Sequence, residues 1–331
     1  MNEMNRIQDC DMVLKTMADV LRKEADGIEK VICQLDEKYE KLIEICMKCK
    51  GKVILSGMGK SGHVAKKISA TMASLGTSSF YLHPAEAAHG DMGMVQKNDV
   101  IIMISKSGET DELLQLIHSF KIIGCALVGL FCRENSTLGN CCDLSIVIPI
   151  EREACINNLA PTTSTTVTMA LGDALAVTLS KMKGFSEQKF ALYHPQGTLG
   201  KQLLTTAGSL IRYGLKEISV EKDTSVKEIL WVITKNHFGA SAVVESDGTL
   251  IGLVTDGDIR RGLEKNADLL QCMVSEIMTS HPVSVQDFML AVDVFHLMRE
   301  NRLSVMPVVD ANNKLLGIIS IHDIVEHGIV G

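Results

Sequence analysis

The sequence predicts an α/β domain with a doubly wound parallel sheet and N-terminal helices, followed by an α+β domain built from a tandem repeat. Three observations predict this arrangement. Short apolar runs alternate with helix-like segments from residue 53 onward, a glycine-rich turn joins the first run to a helix, and the chain repeats itself beyond residue 208. Its 331 residues are enough for two or three domains of ordinary size.

The first fifty residues have the spacing of amphipathic helices. Apolar residues recur there at intervals of three, four or seven, at Val13, Met17, Val20, Leu21, Leu35, Leu42 and Ile45. Cys46 and Cys49 have the spacing of a metal or redox pair, but no second pair completes a tetrahedral site. We therefore expect helices with ordinary thiols ahead of the sheet.

The alternating segments that follow predict a sheet covered on both faces. The candidate strands are uninterrupted apolar runs, at residues 53–55, 79–82, 100–104, 126–130 and 144–148. The candidate helices have helical spacing of apolar residues, at residues 64–75, 110–122 and 166–182. Continuous apolar strands are typical of parallel sheets. Ligands of such sheets bind beyond the carboxyl ends of the strands, so the loops 57–62, 83–93 and 105–110 are expected to lie together.

The turn over residues 57–62 reads G-x-G-x-x-G and leads from a strand into a helix, where backbone N–H groups suit an anion. A dinucleotide fold needs a carboxylate at the end of the second strand, yet residues 79–82 end at His83. A Walker loop needs glycine where Ile54 stands. The turn therefore predicts a phosphate or sugar loop that carries one cation, Lys60.

Two hydroxyl clusters accompany this turn. Residues 105–110 read SKSGET, with hydroxyls at Ser105, Ser107 and Thr110 ahead of a helix, and this suits a phosphate dianion. Residues 162–166 read TTSTT and precede another helix. The alternative is that both clusters only cap helices.

Ionisable residues on the expected sheet edge form an acid–base set, which consists of Lys60, His83, His89, Glu112, Glu153 and His194. Each histidine taken alone is more often structural than catalytic. Together the set suits proton abstraction next to a carbonyl, with a carboxylate as the proton carrier and cations or histidines stabilising an enediolate. We expect Glu153 to be the general base and Lys60 to lie at the oxyanion end.

The C-terminal part repeats itself at an offset of 65 residues, because residues 225–259 align with 290–324 without a gap. Each unit reads helix, strand, polar turn, strand and helix. The repeat preserves a hydroxyl and a carboxylate, at Thr255 and Asp258 and again at Ser320 and Asp323. A pair of this size predicts two half-modules that bury their sheets against each other.

Composition excludes several classes of protein. A formal net charge of −7 with dispersed Lys and Arg argues against nucleic acid as a partner. Neither an export signal nor an apolar run of membrane-spanning length is recognisable, so we expect no membrane partner. Ten cysteines without an export signal predict reduced thiols and a cytoplasmic protein.

The form G-x-x-[ST]-x-x-D in both repeats resembles the cystathionine-β-synthase (CBS) repeat over residues 210–331. This resemblance implies that Thr255, Asp258, Ser320 and Asp323 contact the ribose or phosphate of an adenosine ligand, such as a nucleotide or sugar nucleotide. The alternative is that the pair only stiffens the protein or mediates association.

A second resemblance covers nearly the whole chain. The segments GMGKSGH, HPAEAAHGDMG, SKSGETDE, LAPTTSTT and HPQGTLGK occur in the order of sugar isomerase (SIS) proteins of the arabinose-5-phosphate isomerase group. The resemblance implies interconversion of D-arabinose 5-phosphate and D-ribulose 5-phosphate for lipopolysaccharide or capsule precursors. It also implies a homotetramer with shared active sites and no organic cofactor.

The same resemblance assigns roles to individual residues. Lys60, Glu112, Glu153 and His194 fall on catalytic positions. Substrate positions are Ser61, Gly76, Thr77, His83, His89, Ser105, Ser107, Thr110, Thr163 and Ser164, and His83 also falls on a position linked to an inhibitory zinc ion.

Two departures from the pattern stand out. Lys106 replaces the more usual Asn, so an extra cation is expected to tighten phosphate binding, and residues 156–158 (INN) replace Pro-Leu-Gly beside Glu153. The predicted boundaries are 1–207 for the SIS domain and 208–272 and 273–331 for the repeats. The competing functions are a non-enzymatic phosphosugar sensor and an isomerase for another sugar phosphate.

Overall fold

Two helices precede the sheet, as their apolar spacing predicts. They are α1 (Glu3–Cys33) and α2 (Glu37–Lys48), and the side chain of Asp36 caps α2 by accepting a hydrogen bond from Lys38 N at 2.9 Å. The computed structural model describes residues 3–211 and 214–330, with side chains from residue 12 onward. These residues form two compact units, Met1–Ser186 and Glu187–Gly331.

The first unit contains a five-stranded parallel sheet. Its strands are β1 (Val53–Gly57), β2 (Ser79–Leu82), β3 (Val100–Ser105), β4 (Ala126–Phe131) and β5 (Leu144–Val147). Its remaining helices are α3 (Gly59–Ser74), α4 (Pro84–Ala88), α5 (Asp111–Leu114), α6 (Ile117–Ile123), α7 (Thr137–Cys141) and α8 (Thr163–Met182), with a 3-10 turn at Asp91–Met94. The strand order is β2-β1-β3-β4-β5, which confirms the predicted doubly wound class.

Alternate side chains of the central strands enter two separate cores. Leu55 and Ile102 pack with residues of α2, α3 and α8, whereas Ile54 and Ile101 pack on the other face with residues of α4 to α7. All residues of β1 and β3 are buried. This burial on both faces explains why the strands read as continuous apolar runs.

The helix boundaries differ from the predicted ones in three places. Helix α3 begins at Gly59 instead of residue 64, and α8 begins at Thr163 instead of 166. The helix predicted over 110–122 is divided into α5 and α6. Two predicted loops are therefore shorter, and several candidate site residues lie in the first turn of a helix.

The second unit begins with two helices that precede the repeats. Its helices are α9 (Glu187–Tyr193), α10 (Thr198–Leu204), α11 (Leu215–Ile218), α12 (Val226–Asn236), α13 (Asp256–Lys265), α14 (Ala291–Asn301) and α15 (Ile321–Glu326). Its strands are β6 (Ser219–Glu221), β7 (Ala240–Val244), β8 (Leu250–Thr255), β9 (Thr279–Ser280), β10 (Val285–Gln286), β11 (Val305–Val309) and β12 (Leu315–Ser320). Short 3-10 turns lie at Gly208–Leu210, Leu269–Gln271 and Val274–Glu276.

The predicted offset of 65 residues holds element by element. Helices α12 and α14, strands β7 and β11, and strands β8 and β12 start and end 65 residues apart. Both antiparallel pairs even shift register at the same place, between Val243 and Val244 and between Val308 and Val309. The repeat is therefore a structural duplication.

The two repeats share a core. The strands form two sheets in the orders β6-β7-β8-β9 and β10-β11-β12. Ala242 and Leu253 of one sheet and Val305 and Ile318 of the other belong to a single buried cluster. Within residues 3–211 and 214–330, no helix combines the length and apolar character needed to cross a membrane.

Residues before the repeats are packed on the second repeat. Ala207 N donates a hydrogen bond to Met289 O at 2.8 Å, and Gln202 Nε2 donates to Ile329 O at 3.1 Å. These contacts place the segment from residue 187 in the second unit. The domain boundaries at 207/208 and 272/273 stay predictions.

Candidate active site

The candidate site lies where the strand order reverses. Strand β1 pairs with β2 on one side and with β3 on the other, all in parallel, so the loops after these strands emerge at one edge. That edge carries the turn after β1, the loop 105–110 after β3 and His83 after β2. Ligand sites of doubly wound sheets occur at such a switch point.

The turn after β1 is tightly packed at Gly62. A Cβ at this position would lie 2.6 Å from Gly57 O and 2.7 Å from the Tyr81 hydroxyl. The Tyr81 hydroxyl itself donates to Gly57 O at 2.8 Å. Only glycine allows this close approach, which brings the first turn of α3, with Lys60 and Ser61, against the end of the strand.

The loop 105–110 is closed by its own hydroxyls. The Ser105 hydroxyl lies 2.8 Å from the Thr110 hydroxyl and accepts a hydrogen bond from Gly108 N at 3.0 Å. The Ser107 hydroxyl accepts one from Glu109 N at 3.2 Å. Gly108 has a φ of +69°, the left-handed conformation that favours glycine. From the sequence, these hydroxyls are predicted to bind phosphate or to cap a helix. In this structure they form hydrogen bonds within the loop and hold its conformation.

Glu153 is anchored at the N-terminus of α8. Its side chain is 0% exposed, although it is a carboxylate. One oxygen accepts hydrogen bonds from the Ser164 hydroxyl at 2.5 Å and the Lys106 ammonium at 2.6 Å. The other accepts from Thr162 N at 2.8 Å, Ser164 N at 3.1 Å and the Thr162 hydroxyl at 3.3 Å. A negative charge is stabilised at a helix N-terminus, so this position suits an ionised carboxylate.

These contacts change the acidity of Glu153. Burial would raise the pKa of its carboxyl, but the Lys106 ammonium, the Ser164 hydroxyl and the backbone N–H groups outweigh burial and lower the pKa from 4.5 to about 2. A carboxylate with such a pKa is a weak base at neutral pH. Glu153 is therefore a charged carboxylate at neutral pH, and its role as the general base stays a prediction.

The backbone of Glu153 is held by Asn158, which lies in the segment 156–158 that differs from the resembled family pattern. Glu153 N donates to the Asn158 side chain at 2.6 Å, and Asn158 has a φ of +55°. Asparagine adopts this left-handed conformation more readily than most residues. Both departures from the resembled pattern, Lys106 and Asn158, therefore contact Glu153.

A small cavity of about 20 Å³ connects the turn, the loop and α8. Its lining includes Ser61, Ser105, Lys106, Ser164 and Thr165. Hydroxyl and ammonium donors of this kind suit the oxygens of a phosphate or sugar. The cavity has room for a water molecule only, so a sugar phosphate would lie over it at the open edge.

Other candidate residues lie on elements at the same edge. Lys60 is exposed in the first turn of α3, and Glu112 is half-buried in the first turn of α5. Helix α4, which contacts α5, lies between His83 and the exposed His89. Thr163 belongs to the first turn of α8, and its hydroxyl accepts from Ala154 N at 3.0 Å.

The predicted zinc position is only partly formed. His83 Nδ1 is buried and finds no hydrogen-bond partner among the described residues. In that part of the chain, no group of three or more His, Cys, Asp or Glu could hold a metal ion. A zinc ion at His83 stays a prediction.

Three predicted residues lie elsewhere. Gly76 and Thr77 precede β2, at the amino end of the strands, where Gly76 packs on Phe185 and the Thr77 hydroxyl accepts from the Lys183 ammonium at 2.9 Å. His194 follows α9 in the second unit and stacks on Phe190, with ring centroids 4.0 Å apart. Within the first unit, Gly76 and Thr77 therefore lie at the opposite edge from the loops described above.

The contact between Lys106 and Glu153 is not among the predictions from the sequence, in which Lys106 binds phosphate alone. The signal available was that Lys106 follows β3 and Glu153 follows β5, so both opposite charges were expected at the same edge. Their pairing at 2.6 Å makes Lys106 part of the site.

The CBS candidates form matched helix caps. Thr255 and Ser320 are the N-caps of α13 and α15, and each forms a capping box with Asp258 or Asp323. The hydroxyl donates to the carboxylate at 2.7 Å in the first repeat and 2.6 Å in the second. The repeated hydroxyl and carboxylate thus have a structural role in both repeats.

A cleft of about 640 Å³ adjoins one of these caps. Its lining includes Ser320 and Asp323 together with His237, Asp256 and His322. It is large enough for a small organic ligand.

Comparisons with known proteins agree with this architecture. The SIS domain family matches residues 46–178, and the CBS domain family matches residues 215–265 and 274–329. Arabinose 5-phosphate isomerase KpsF of Escherichia coli O6:H1 is 40% identical over 312 residues, which are 94% of this chain and 95% of the relative.

The chain belongs to the arabinose-5-phosphate isomerase family. A second relative, arabinose 5-phosphate isomerase KdsD of Pseudomonas aeruginosa, is 37% identical over 327 residues, 99% of this chain and all of the relative. A solved protein of Escherichia coli CFT073, in complex with arabinose 5-phosphate, is 42% identical with a TM-score of 0.54, and covers 59% of this chain and 100% of its own. Membership in the family confirms the resemblance and the fold class, while the roles of single residues stay predictions.

Proposed function

We propose that this protein interconverts D-arabinose 5-phosphate and D-ribulose 5-phosphate. The observation that carries the proposal is the edge at the β1/β3 switch point, where a cavity lined in part by hydroxyls, the fixed Glu153 carboxylate and the Lys106 ammonium meet. Family membership supports the same reaction, since the relatives are arabinose 5-phosphate isomerases.

The phosphate of the sugar binds at the loop 105–110, over the cavity beside it. Ser107 and Thr110 lie on that loop, and Ser61 and Ser164 line the cavity. Hydroxyl donors and helix N-termini favour a dianion there. Lys106 adds a positive charge next to these donors.

The reaction itself is a proton transfer between C2 and C1. A carboxylate removes the C2 proton of the aldose, the C–H electrons form the C1–C2 double bond of an enediol, and O1 gains a proton. The same carboxyl returns its proton to C1, and O2 loses its proton to give the ketone. We assign the proton transfer to Glu112, because every oxygen of Glu153 already accepts hydrogen bonds from protein donors.

The remaining candidates stabilise charge. Lys60 lies exposed in the first turn of α3 and would balance the negative oxygen of the enediol. His83 and His89 are assigned to the substrate hydroxyls or to ring opening, and in the proposed homotetramer His194 is assigned to the pocket of a neighbouring subunit. The reaction needs neither an organic cofactor nor an added metal. We expect it in the cytoplasm, where the nine described cysteine side chains, all free thiols, would stay reduced.

The second unit has a separate proposed role. We assign the cleft beside Ser320 and Asp323 to an adenine nucleotide or a sugar nucleotide that modulates the isomerase. Such a ligand must bind two conformations unequally in order to change activity. The protein is proposed to act as a homotetramer.

The substrate is tested with a panel of ketose phosphates. Purified protein freed of metal is incubated with ribulose 5-phosphate and, in parallel, with hexulose phosphates, and the aldose products are measured. We expect arabinose 5-phosphate as the main product. Conversion of a hexulose phosphate alone would make it an isomerase for another sugar, and binding without conversion would make it a sensor.

A further inference from the structure

The contact between Lys106 and Glu153 has a consequence for ligand charge. Glu153 is fully buried and is bonded to Ser164 and Lys106, and both of these residues line the small cavity. The carboxylate therefore lies directly behind the surface on which a phosphate would sit. Its charge would repel an approaching dianion, because Coulomb forces are weakly screened away from bulk water.

Lys106 is placed to cancel that charge. Its ammonium lies 2.6 Å from the Glu153 carboxylate, yet its side chain remains 43% exposed. The ammonium is held by a buried partner, and Lys106 lines the same small cavity as Ser61 and Ser105. An ammonium has three donors, so it can bind Glu153 and still donate to a ligand.

Asn158 and the start of α8 anchor Glu153. The Asn158 side chain accepts the Glu153 N–H at 2.6 Å, and the backbone N–H groups of Thr162 and Ser164 donate to the carboxylate. These donors are neutral groups, whereas Lys106 brings a full positive charge to the carboxylate. Lys106 is therefore the partner that can cancel its charge.

We propose that Lys106 is a specificity-determining residue that makes the site compatible with a phosphate dianion by neutralising the buried Glu153 carboxylate and donating to the phosphate. The proposal rests on the proposed function only for the class of ligand, a sugar phosphate. It assigns Lys106 a role in binding, separate from proton transfer.

A double-mutant cycle on phosphate binding tests the proposal. Binding of inorganic phosphate to the full chain is measured by calorimetry for wild type, Lys106→Met, Glu153→Gln and the double variant. We expect Lys106→Met to weaken binding about tenfold or more, because a charge-assisted hydrogen bond is lost and Glu153 is left uncompensated. Adding Glu153→Gln should restore part of the lost affinity, since the repelling charge is removed.

Two further variants serve as controls. Lys67→Met removes a lysine that is paired with Asp173 and is 44% exposed, so it matches Lys106 in exposure and in having a carboxylate partner, and it should keep phosphate affinity. Lys106→Arg retains the charge and should bind phosphate nearly as wild type. Circular dichroism of each variant verifies that α8 and the sheet are intact.

The proposal is overturned if Lys106→Met binds phosphate as well as Lys67→Met does. It is also overturned if Lys106→Met loses affinity and the double variant recovers none of it, because the carboxylate would then not be the source of repulsion. Phosphate binding needs no turnover. A protein that loses phosphate affinity in Lys106→Met, regains part of it in the double variant and yet isomerises no pentose phosphate would refute the proposed function and support the role of Lys106.

Discussion

Glu153 shows how neighbours decide the chemistry of a single residue. Glu153 lies between β5 and α8, and its place in the acid–base set predicts that it carries protons. The hydroxyl and N–H groups at the start of α8 and the Lys106 ammonium hold it as a charged carboxylate, with a pKa lowered to about 2. These contacts make Glu153 an electrostatic centre of the site, and its part in proton transfer stays a prediction.

The variant Glu153→Gln should lose most turnover and also lose stability at neutral pH. Turnover is expected to fall about 10²-fold, since an amide places N–H donors against Lys106 and the start of α8 and displaces the site from its reactive geometry. Phosphate binding should survive, because the donors on the loop 105–110 remain. Steady-state kinetics and phosphate calorimetry measure the two effects.

The stability effect has a defined dependence on pH. A depressed pKa means that the carboxylate stabilises the folded state above pH 4.5 and that this contribution is lost as the pH falls from about 4.5 to about 2. The unfolding midpoint of Glu153→Gln should be below wild type at pH 7, and the gap should narrow by pH 3. An equal gap at both pH values would show that Glu153 is not held in its charged form.

The location of Glu153 was predictable and its partners were not. Glu153 follows the apolar run of β5, so the apolar pattern alone predicts that its loop lies at the carboxyl edge of the sheet. Whether Lys106 turns toward Glu153 or toward solvent depends on side-chain rotamers and on the αL conformation of Asn158. Neither property has a signature in the spacing of the sequence.

At the level of elements, the loop 105–110 depends on one glycine. Gly108 has a φ of +69°, and a Cβ there would lie 2.2 Å from the Ser136 hydroxyl. Gly108 N also donates to Ser105, so the conformation of this residue sets the position of the hydroxyls. The loop is rigid because of geometry that other residues cannot adopt.

Gly108→Ala should therefore raise KM more than it lowers kcat. The substitution is expected to cost about 1–3 kcal/mol in backbone strain, in addition to the clash with Ser136, and to shift the loop from its phosphate-binding position. Gly93→Ala is the matched control, because a Cβ at Gly93 meets nothing within 4 Å. Equal kinetics for the two variants would mean that the loop 105–110 does not bind the phosphate.

The sequence located the strands better than the starts of the helices. Apolar runs identify β1 to β5 because these strands are buried. Helix α8 begins at Thr163, three residues before the predicted start, and Glu153, ten residues upstream, accepts from the N–H groups of Thr162 and Ser164. A cap that is supplied across a loop lacks the short spacing of an N-cap residue.

For the whole molecule, the repeats are expected to regulate the reaction. The double variant Asp258→Ala with Asp323→Ala removes the capping boxes of α13 and α15, and Asp323 also lines the cleft. We expect this variant to lose any effect of adenine or sugar nucleotides on activity and to keep its basal turnover. Ser225→Ala is the control, since it breaks the capping box of α12 instead. Calorimetry that detects no nucleotide binding to wild type would refute a regulatory role.

The N-terminal helix is expected to mediate assembly. Helix α1 exposes Met12, Leu14, Met17 and Leu21 by 58% to 67%, an apolar stripe that favours association. Leu14→Glu with Leu21→Glu should lower the mass measured by light scattering from that of a tetramer, whereas Ile122→Glu, at a site 72% exposed on α6, should not. A wild-type protein that is monomeric and fully active would contradict the proposed tetramer.

The most direct test of the account follows the C2 proton. Arabinose 5-phosphate is incubated with metal-free protein in deuterated water, and proton NMR measures both the C2 signal and the appearance of ribulose 5-phosphate. We predict that ribulose 5-phosphate forms. Exchange of the carboxyl proton with solvent at the enediol stage should place deuterium at C1 of the ketose and, by reversal, at C2 of the remaining aldose, and Glu112→Gln should suppress both conversion and exchange. Sugar phosphate that binds but shows neither conversion nor exchange would contradict the assignment as an isomerase.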